Sequence, residues 1–245
     1  MIVRSADGVL HLISQPDHAA LARRIMERWA PLHGAERRQS ILLAVEEHDN
    51  GWQETDAHPS IDPTTRRLFD FVTIPTPAKQ AVWPRGVARL APEDGWAAAL
   101  VAQHALTIYE RFRADAEWTE FFAAMTASRD TLVHQSGRTP AQLTHDYGYV
   151  RIGDLLSLVF CNLWQEPQSY DRWQFRLHEG HKGLEGREGL VAVTVSPDGF
   201  AGRPVPIAVT AREIPDGPYE SDAALQAAIR VSPRITLHGY VSGAA

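Results

Sequence analysis

A chain of 245 residues is long enough for one well-buried domain and short for two. Hydrophobic residues make up 44% and charged residues 22%, ordinary globular usage that argues against disorder and against a fibrous architecture. The formal net charge is −6 and Lys and Arg are scattered, which argues against a nucleic-acid interface.

The opening MIVRSADGVLHLIS lacks the apolar core of a signal peptide, and no later apolar run approaches the roughly 20 residues needed to cross a bilayer. A cytoplasmic protein without membrane contact is therefore expected. Two short strands, 2–4 and 9–14, flank the tight-turn pair Asp7-Gly8. Pro16 and Asp17 carry helix-start chemistry, and Leu21, Ala22, Ile25 and Trp29 recur at helical spacing up to the breaker Pro31. A second helix is predicted from about Glu36 to Asn50, with Ile41, Leu42 and Val45 buried, Asn50 as a candidate cap and Gly51 as the stop.

From Gln53 to about Pro92 the chain is rich in Pro, Thr and Asp and shows no sustained period, which predicts a long irregular excursion. Long loops often carry function, and Asp56, Asp62, Arg66, Arg67, Asp70, Lys79 and Arg85 are the residues there that would reach an anionic substrate. Helical periodicity returns over about 93–114, 116–135 and 151–164, the last after an ambiguous stretch containing Pro140 and Gly148. After Gly180, LVAVTV, VPIAVTARE and RITLHGYV read as strands and SDAALQAAI as a short helix. The expected fold is a single α+β domain over 1–245, predominantly α-helical. It places a helical core at 15–180 and a small β-sheet from the N-terminal hairpin and C-terminal strands, 1–14 and 188–245. The edge of that sheet leaves room for a homodimer.

Chemistry is concentrated where histidines and carboxylates fall on apolar helix faces. His18 lies three, four and seven residues before Leu21, Ala22 and Ile25, so it shares their inward stripe. His48 is three after Val45 and seven after Ile41, and Asp49 is four after Val45 and seven after Leu42. Asp154 is four before Leu158 and seven before Cys161, so its carboxylate requires a buried partner, which a metal ion would supply. His104 shares a face with Leu100, Val101 and Ile108. A lone histidine on such a face is more often a hydrogen-bonded core residue than a ligand, and only the joint pattern argues otherwise. Cys161 has no disulfide partner, and Trp29, Trp52, Trp83 and Trp164 read as core.

QPDHAALA, EEHDNGW and RIGDLLSL in this order resemble the HD superfamily of metal-dependent phosphohydrolases. Over residues 15–165 the resemblance implies an HD-like helical core with His18, His48, Asp49 and Asp154 as metal ligands. The implied cofactor is one or two divalent transition metal ions, iron or manganese. The implied activity is hydrolysis of a small phosphorylated or anionic compound by metal-activated water. By the same resemblance His104 would bind a second ion or a phosphate, Asp49 and His104 form the catalytic pair, and His134 is a lesser candidate ligand. EHDNGW with DPTTRRLFDF and GDLLSLVFC is also similar to an uncharacterised bacterial family with no assigned function. Alternative expectations are a dinuclear iron oxygenase on the same scaffold, a non-catalytic ligand-binding or sensory module, and a metal-free polar network. The rival doublet His145-Asp146 ranks below His48-Asp49 because no apolar helix precedes it.

Overall fold

Asp7 and Gly8 both adopt positive φ (44° and 83°), the backbone that a two-residue hairpin turn of this hand needs. They join β1 (Ile2–Ala6) to β2 (Val9–Ile13) in the computed structural model, which describes residues 1–178 and 190–244. Ser14 accepts a hydrogen bond from Asp17 N and, with Pro16 in the first turn, starts α1 (Gln15–Met26).

The second helix, α2 (Arg38–Glu47), is shorter than the sequence predicts at both ends, and Asn50–Trp52 forms a separate 3-10 turn. Gly51 does not act as a left-handed stop. A Cβ there would lie 1.9 Å from Val82 O, so its smallness serves a close backbone approach. Asn50 likewise does not cap α2, since its Nδ2 donates to Gly86 O at 3.3 Å.

The excursion between Gln53 and Pro92 contains two helices, α3 (Gln53–Ala57) and α4 (Thr76–Leu90). Pro84 inside α4 hid its period. Val82, Trp83, Gly86, Val87 and Leu90 nevertheless form one buried face. Asp94 caps α5 (Gly95–Ile108) through Trp96 N and Ala97 N, and α6 (Thr119–Gln135) follows. The ambiguous stretch before Arg151 is helical: Thr139 and Gln142 form a capping box that opens α7 (Pro140–Asn162) with Pro140 in its first turn.

The remaining elements are β3 (Gln168–Tyr170), β4 (Trp173–His178), β5 (Val191–Ser196), β6 (Val205–Pro215), α8 (Asp222–Val231) and β7 (Arg234–Gly243). Among the described residues seven strands join one mixed sheet in the order β1-β2-β6-β7-β5-β4-β3, parallel between β5 and β7 and antiparallel at the other pairings. This corrects the expected small sheet on a predominantly helical core: the chain is α+β with a large sheet. Two of its strands, β3 and β4, lie within residues assigned to the helical core. The signal was present in WQFRLH, where Trp173, Phe175 and Leu177 point inward at period two. The boundaries at Gly180 and residue 188 lie outside the described residues.

Helix α1 packs on β6, and α7 runs against β1, β4 and β5. One hydrophobic cluster accordingly joins Ile13, Ile25 and Phe160 to Val193, Val209 and Val241. A second, smaller cluster seats Leu225 of α8 on Leu10, Leu12 and Ile214. Among the described residues no helix is long and apolar enough to cross a membrane.

Candidate metal centre

Helix α7 crosses α1 and α2 at a glycine. A Cβ on Gly153 would lie 2.8 Å from Met26 Cγ and 3.1 Å from Val45 Cγ1, so only hydrogen there lets the three helices approach so closely. Asp154, the next residue, is thereby carried between His18 of α1 and His48, the residue that ends α2. His18 Nε2 lies 3.1 Å from His48 Nε2 and 2.9 Å from Asp49 Oδ2. Asp49 Oδ2 is 3.4 Å from His48 Nε2, and Asp154 Oδ1 is 3.7 Å from His18 Nε2 and 3.5 Å from His48 Nε2. All four side chains are buried.

Counting hydrogens shows what the cluster lacks. His48 Nδ1 is 2.7 Å from Val45 O, and a carbonyl only accepts, so Nδ1 carries the proton. Ser157 Oγ donates its single hydrogen to Asp154 O at 2.9 Å and therefore accepts from His18 Nδ1 at 2.8 Å. In their neutral forms both imidazoles then turn a bare Nε2 lone pair toward each other and toward two carboxylates. Such a convergence of acceptors in a buried site requires a positive charge between them, a proton on an imidazole or a metal ion. Ligand atoms around an ion with bonds of about 2.1 Å sit about 3.0–3.4 Å apart, close to the separations given above. The residues fit a metal ion, and His18, His48 and Asp49 could hold one.

In the absence of an ion, the electrostatics place that positive charge on an imidazole. Burial disfavours charge on His48, yet Asp49 and Asp154 outweigh it and raise His48 to about 9. Burial alone would raise Asp49 and Asp154, but the surrounding imidazoles, joined by Arg151 at Asp154, hold both below the usual carboxylate range. His104 is driven down to about 3 by burial. Its Nδ1 lies 3.2 Å from Tyr147 Oη and its Nε2 3.9 Å from Asp154 Oδ2, and its ring stands 5.0 Å from that of His48. His48, His104 and Asp154 form a second set whose ligand atoms lie within 4.8 Å of one another.

Three neighbours of Asp154 escaped the sequence reading. Ser157 is three residues after it and fixes His18, Arg151 is three before it and donates Nη1 to Asp154 Oδ2 at 2.6 Å, and Tyr147 is seven before it and meets His104. Their three- and seven-residue spacing from an inward carboxylate was the available signal. Replacing Ser157 by Ala should leave the fold intact and weaken metal binding about 10–100-fold, the range for outer-shell partners. Competition against a chelator of known affinity measures this. An unchanged affinity would show that His18 needs no orienting partner.

Residues 1–216 match the family model described as a protein of unknown function, DUF3891. The chain belongs to this family. The matched region includes His18, His48, Asp49, His104 and Asp154 and ends before α8 and β7. No curated protein and no solved structure matched the chain.

Other candidates lie elsewhere. His145 is 66% exposed, and buried Asp146 is held by Arg37 from two nitrogens, by Trp96 Nε1 at 3.0 Å and by His145, so the rival doublet anchors helices. His134 faces solvent on α6. The excursion's charges are occupied in its own scaffold: Asp62 caps Thr64 and Thr65, Asp70 caps Val72 and Thr73, and Lys79 donates to Val72 O. Arg66 donates to Tyr219 O, Arg67 pairs with Asp216, Arg85 donates to Gly51 O, and Asp56 accepts from Gln15 N. These contacts stitch the segment to its neighbours and not to the four ligands. Trp29, Trp52 and Trp83 are buried, Trp164 is half-buried, and burial pushes the Cys161 thiol up.

Proposed function

We propose that this chain is a metal-dependent hydrolase of the HD type that holds iron or manganese at His18, His48, Asp49 and Asp154 and acts on a small phosphorylated or otherwise anionic compound. The observation that supports this most is the meeting of two bare Nε2 lone pairs with two carboxylates, each imidazole fixed from behind by an acceptor. Imidazole and carboxylate together, without thiolate, suit first-row divalent ions. The order His, His-Asp, Asp along the sequence, similar to that of the HD superfamily, supports the same reading.

A divalent ion bound here supplies Lewis acidity and lowers the pKa of water, making hydroxide available near neutral pH. The chain's own residues orient and insulate. Val45 O and Ser157 Oγ fix the two rings, Asp49 and Asp154 offset the ion's charge, and Trp83, 5.7 Å from the His104 ring, walls the site on the α4 side. The test is hydrolysis of p-nitrophenyl phosphate and bis(p-nitrophenyl) phosphate by protein loaded with iron or manganese. Turnover that stops on chelation and returns with metal is expected. A fully loaded protein inert toward every phosphoester tried would overturn the hydrolase reading in favour of a binding module.

The second set of ligands, His48, His104 and Asp154, favours a second reading, a dinuclear iron oxygenase. Two irons per chain together with oxygen uptake would select it.

A further inference from the structure

We infer that Arg151 is the anion-binding arm of this site: it braces Asp154 with one N–H and offers its remaining donors to the oxyanion of the substrate, a phosphate monoester or similar tetrahedral oxyanion. The inference rests on the hydrolase reading above and adds the residue that recognises the charge. Tyr147, Arg151 and Asp154 follow one another at spacings of four and three along α7, so they share one face of the helix. On that face Tyr147 and Asp154 are buried, the Asp154 side chain at 4% exposed, while the Arg151 side chain between them is 25% exposed. Arg151 is thus the polar link between the buried ligands and solvent.

A guanidinium carries five N–H donors. Among the described residues, the hydrogen bond from Nη1 to Asp154 Oδ2 engages only one of them. The group is also confined. Its charge works against the upward shifts of Tyr147 and Tyr170 and adds to the downward shift of His104. One turn earlier, a Cβ on Gly148 would stand 3.8 Å from Tyr170 Oη, so β3 lies close against this part of α7 and gives the arm a wall.

Charge balance separates this role from that of a plain brace. With a divalent ion present, Asp49 and Asp154 offset its two charges and both imidazoles are neutral ligands. Summed over the ion, Asp49, Asp154 and Arg151, the site then keeps one net positive charge, as the receptor for an anion should.

Binding of inorganic phosphate to manganese-loaded protein, measured by calorimetry alongside elemental analysis, tests the inference with Arg151→Gln and Arg151→Met. With manganese in excess, both variants should fill the metal site and lose at least about tenfold in phosphate affinity, the scale of one charge-assisted contact. Wild-type phosphate affinity in a variant that retains metal would overturn this role and leave the hydrolase reading standing. Loss of metal from both variants would make Arg151 a positioning residue for Asp154 and overturn it equally. Wild-type protein that holds manganese but no phosphate, or that holds no metal, would overturn both the inference and the reading beneath it.

Discussion

Protein purified without chelator should carry bound iron or manganese, His48→Ala and Asp154→Ala should carry none, and His145→Ala should carry as much as wild type. His48 is the decisive position because its Nε2 faces His18, Asp49 and Asp154 at 3.1, 3.4 and 3.5 Å, and it belongs to both candidate ligand sets. Its removal leaves two buried carboxylates and one imidazole, too few well-placed donors to hold a labile divalent ion through purification. Removing Asp154 takes away the carboxylate that α7 contributes, while the backbone carbonyl that accepts from Ser157, and with it the orientation of His18, stays in place. His145 is the control, since it is a histidine beside an aspartate whose ring lies mostly in solvent. Elemental analysis of the four proteins, each checked for native circular dichroism, decides the matter. Metal retained by folded Asp154→Ala, or lost from His145→Ala, would reassign the ligands.

The second large effect concerns stability. Arg37→Ala should destabilise the protein by about 3 kcal/mol, the lower end of the cost of leaving a buried ion without its partner. That corresponds to a fall in Tm of about 6–12 °C for a chain of this size. Arg37 meets Asp146 through two guanidinium nitrogens and ties the start of α2 to the middle of α7, and the Asp146 side chain is 1% exposed. Trp96 Nε1 and His145 still donate to that carboxylate after the change, which keeps the loss from being larger. Adding Asp146→Asn should recover part of the loss, because a buried neutral amide tolerates a missing partner better than a carboxylate does. A Tm for Arg37→Ala within about 2 °C of wild type would mean a loss below about 1 kcal/mol and that the pair is energetically idle.

The pH dependence of this pair has a defined sign. Burial would raise Asp146, but the hydrogen bonds from Arg37, His145 and Trp96 hold it below the usual carboxylate range. A depressed folded pKa contributes stability that is complete above the ordinary aspartate value of about 3.9. It disappears as the pH falls through the lower folded value, so the penalty of Arg37→Ala should be full at neutral pH and shrink under acid.

What the sequence revealed and what it concealed divide along physical lines. His18, His48 and Asp154 were legible because a helix repeats every 3.6 residues, and neighbours such as Leu21, Val45 and Leu158 announce which way a side chain faces. The partners of those residues were less legible. Nothing local to Gly153 says that Met26 and Val45 press against it, or that Arg37 reaches Asp146 across 109 positions. Helix α4 was hidden by Pro84, a breaker that its packing tolerates. The sheet was underestimated for a third reason: strand order is a matter of long-range pairing, and short runs such as QSY and WQFRLH carry little pattern of their own.

The placement of β7 bears on how the molecule comes to exist. Among the described residues it is the last strand, yet it lies between β6 and β5 in the sheet. During synthesis the amino-terminal residues emerge first, so one half-sheet, β1-β2-β6, and the other, β5-β4-β3, are both on hand before the strand that joins them. Until residues 234–243 arrive, each half presents an open edge to the crowded surroundings of a ribosome. The helices that carry His18, His48 and Asp154 have all been made by then. A nascent chain can therefore assemble the polar centre while its sheet still awaits closure, and the interval between those two events is when it is most exposed to pairing with a stranger.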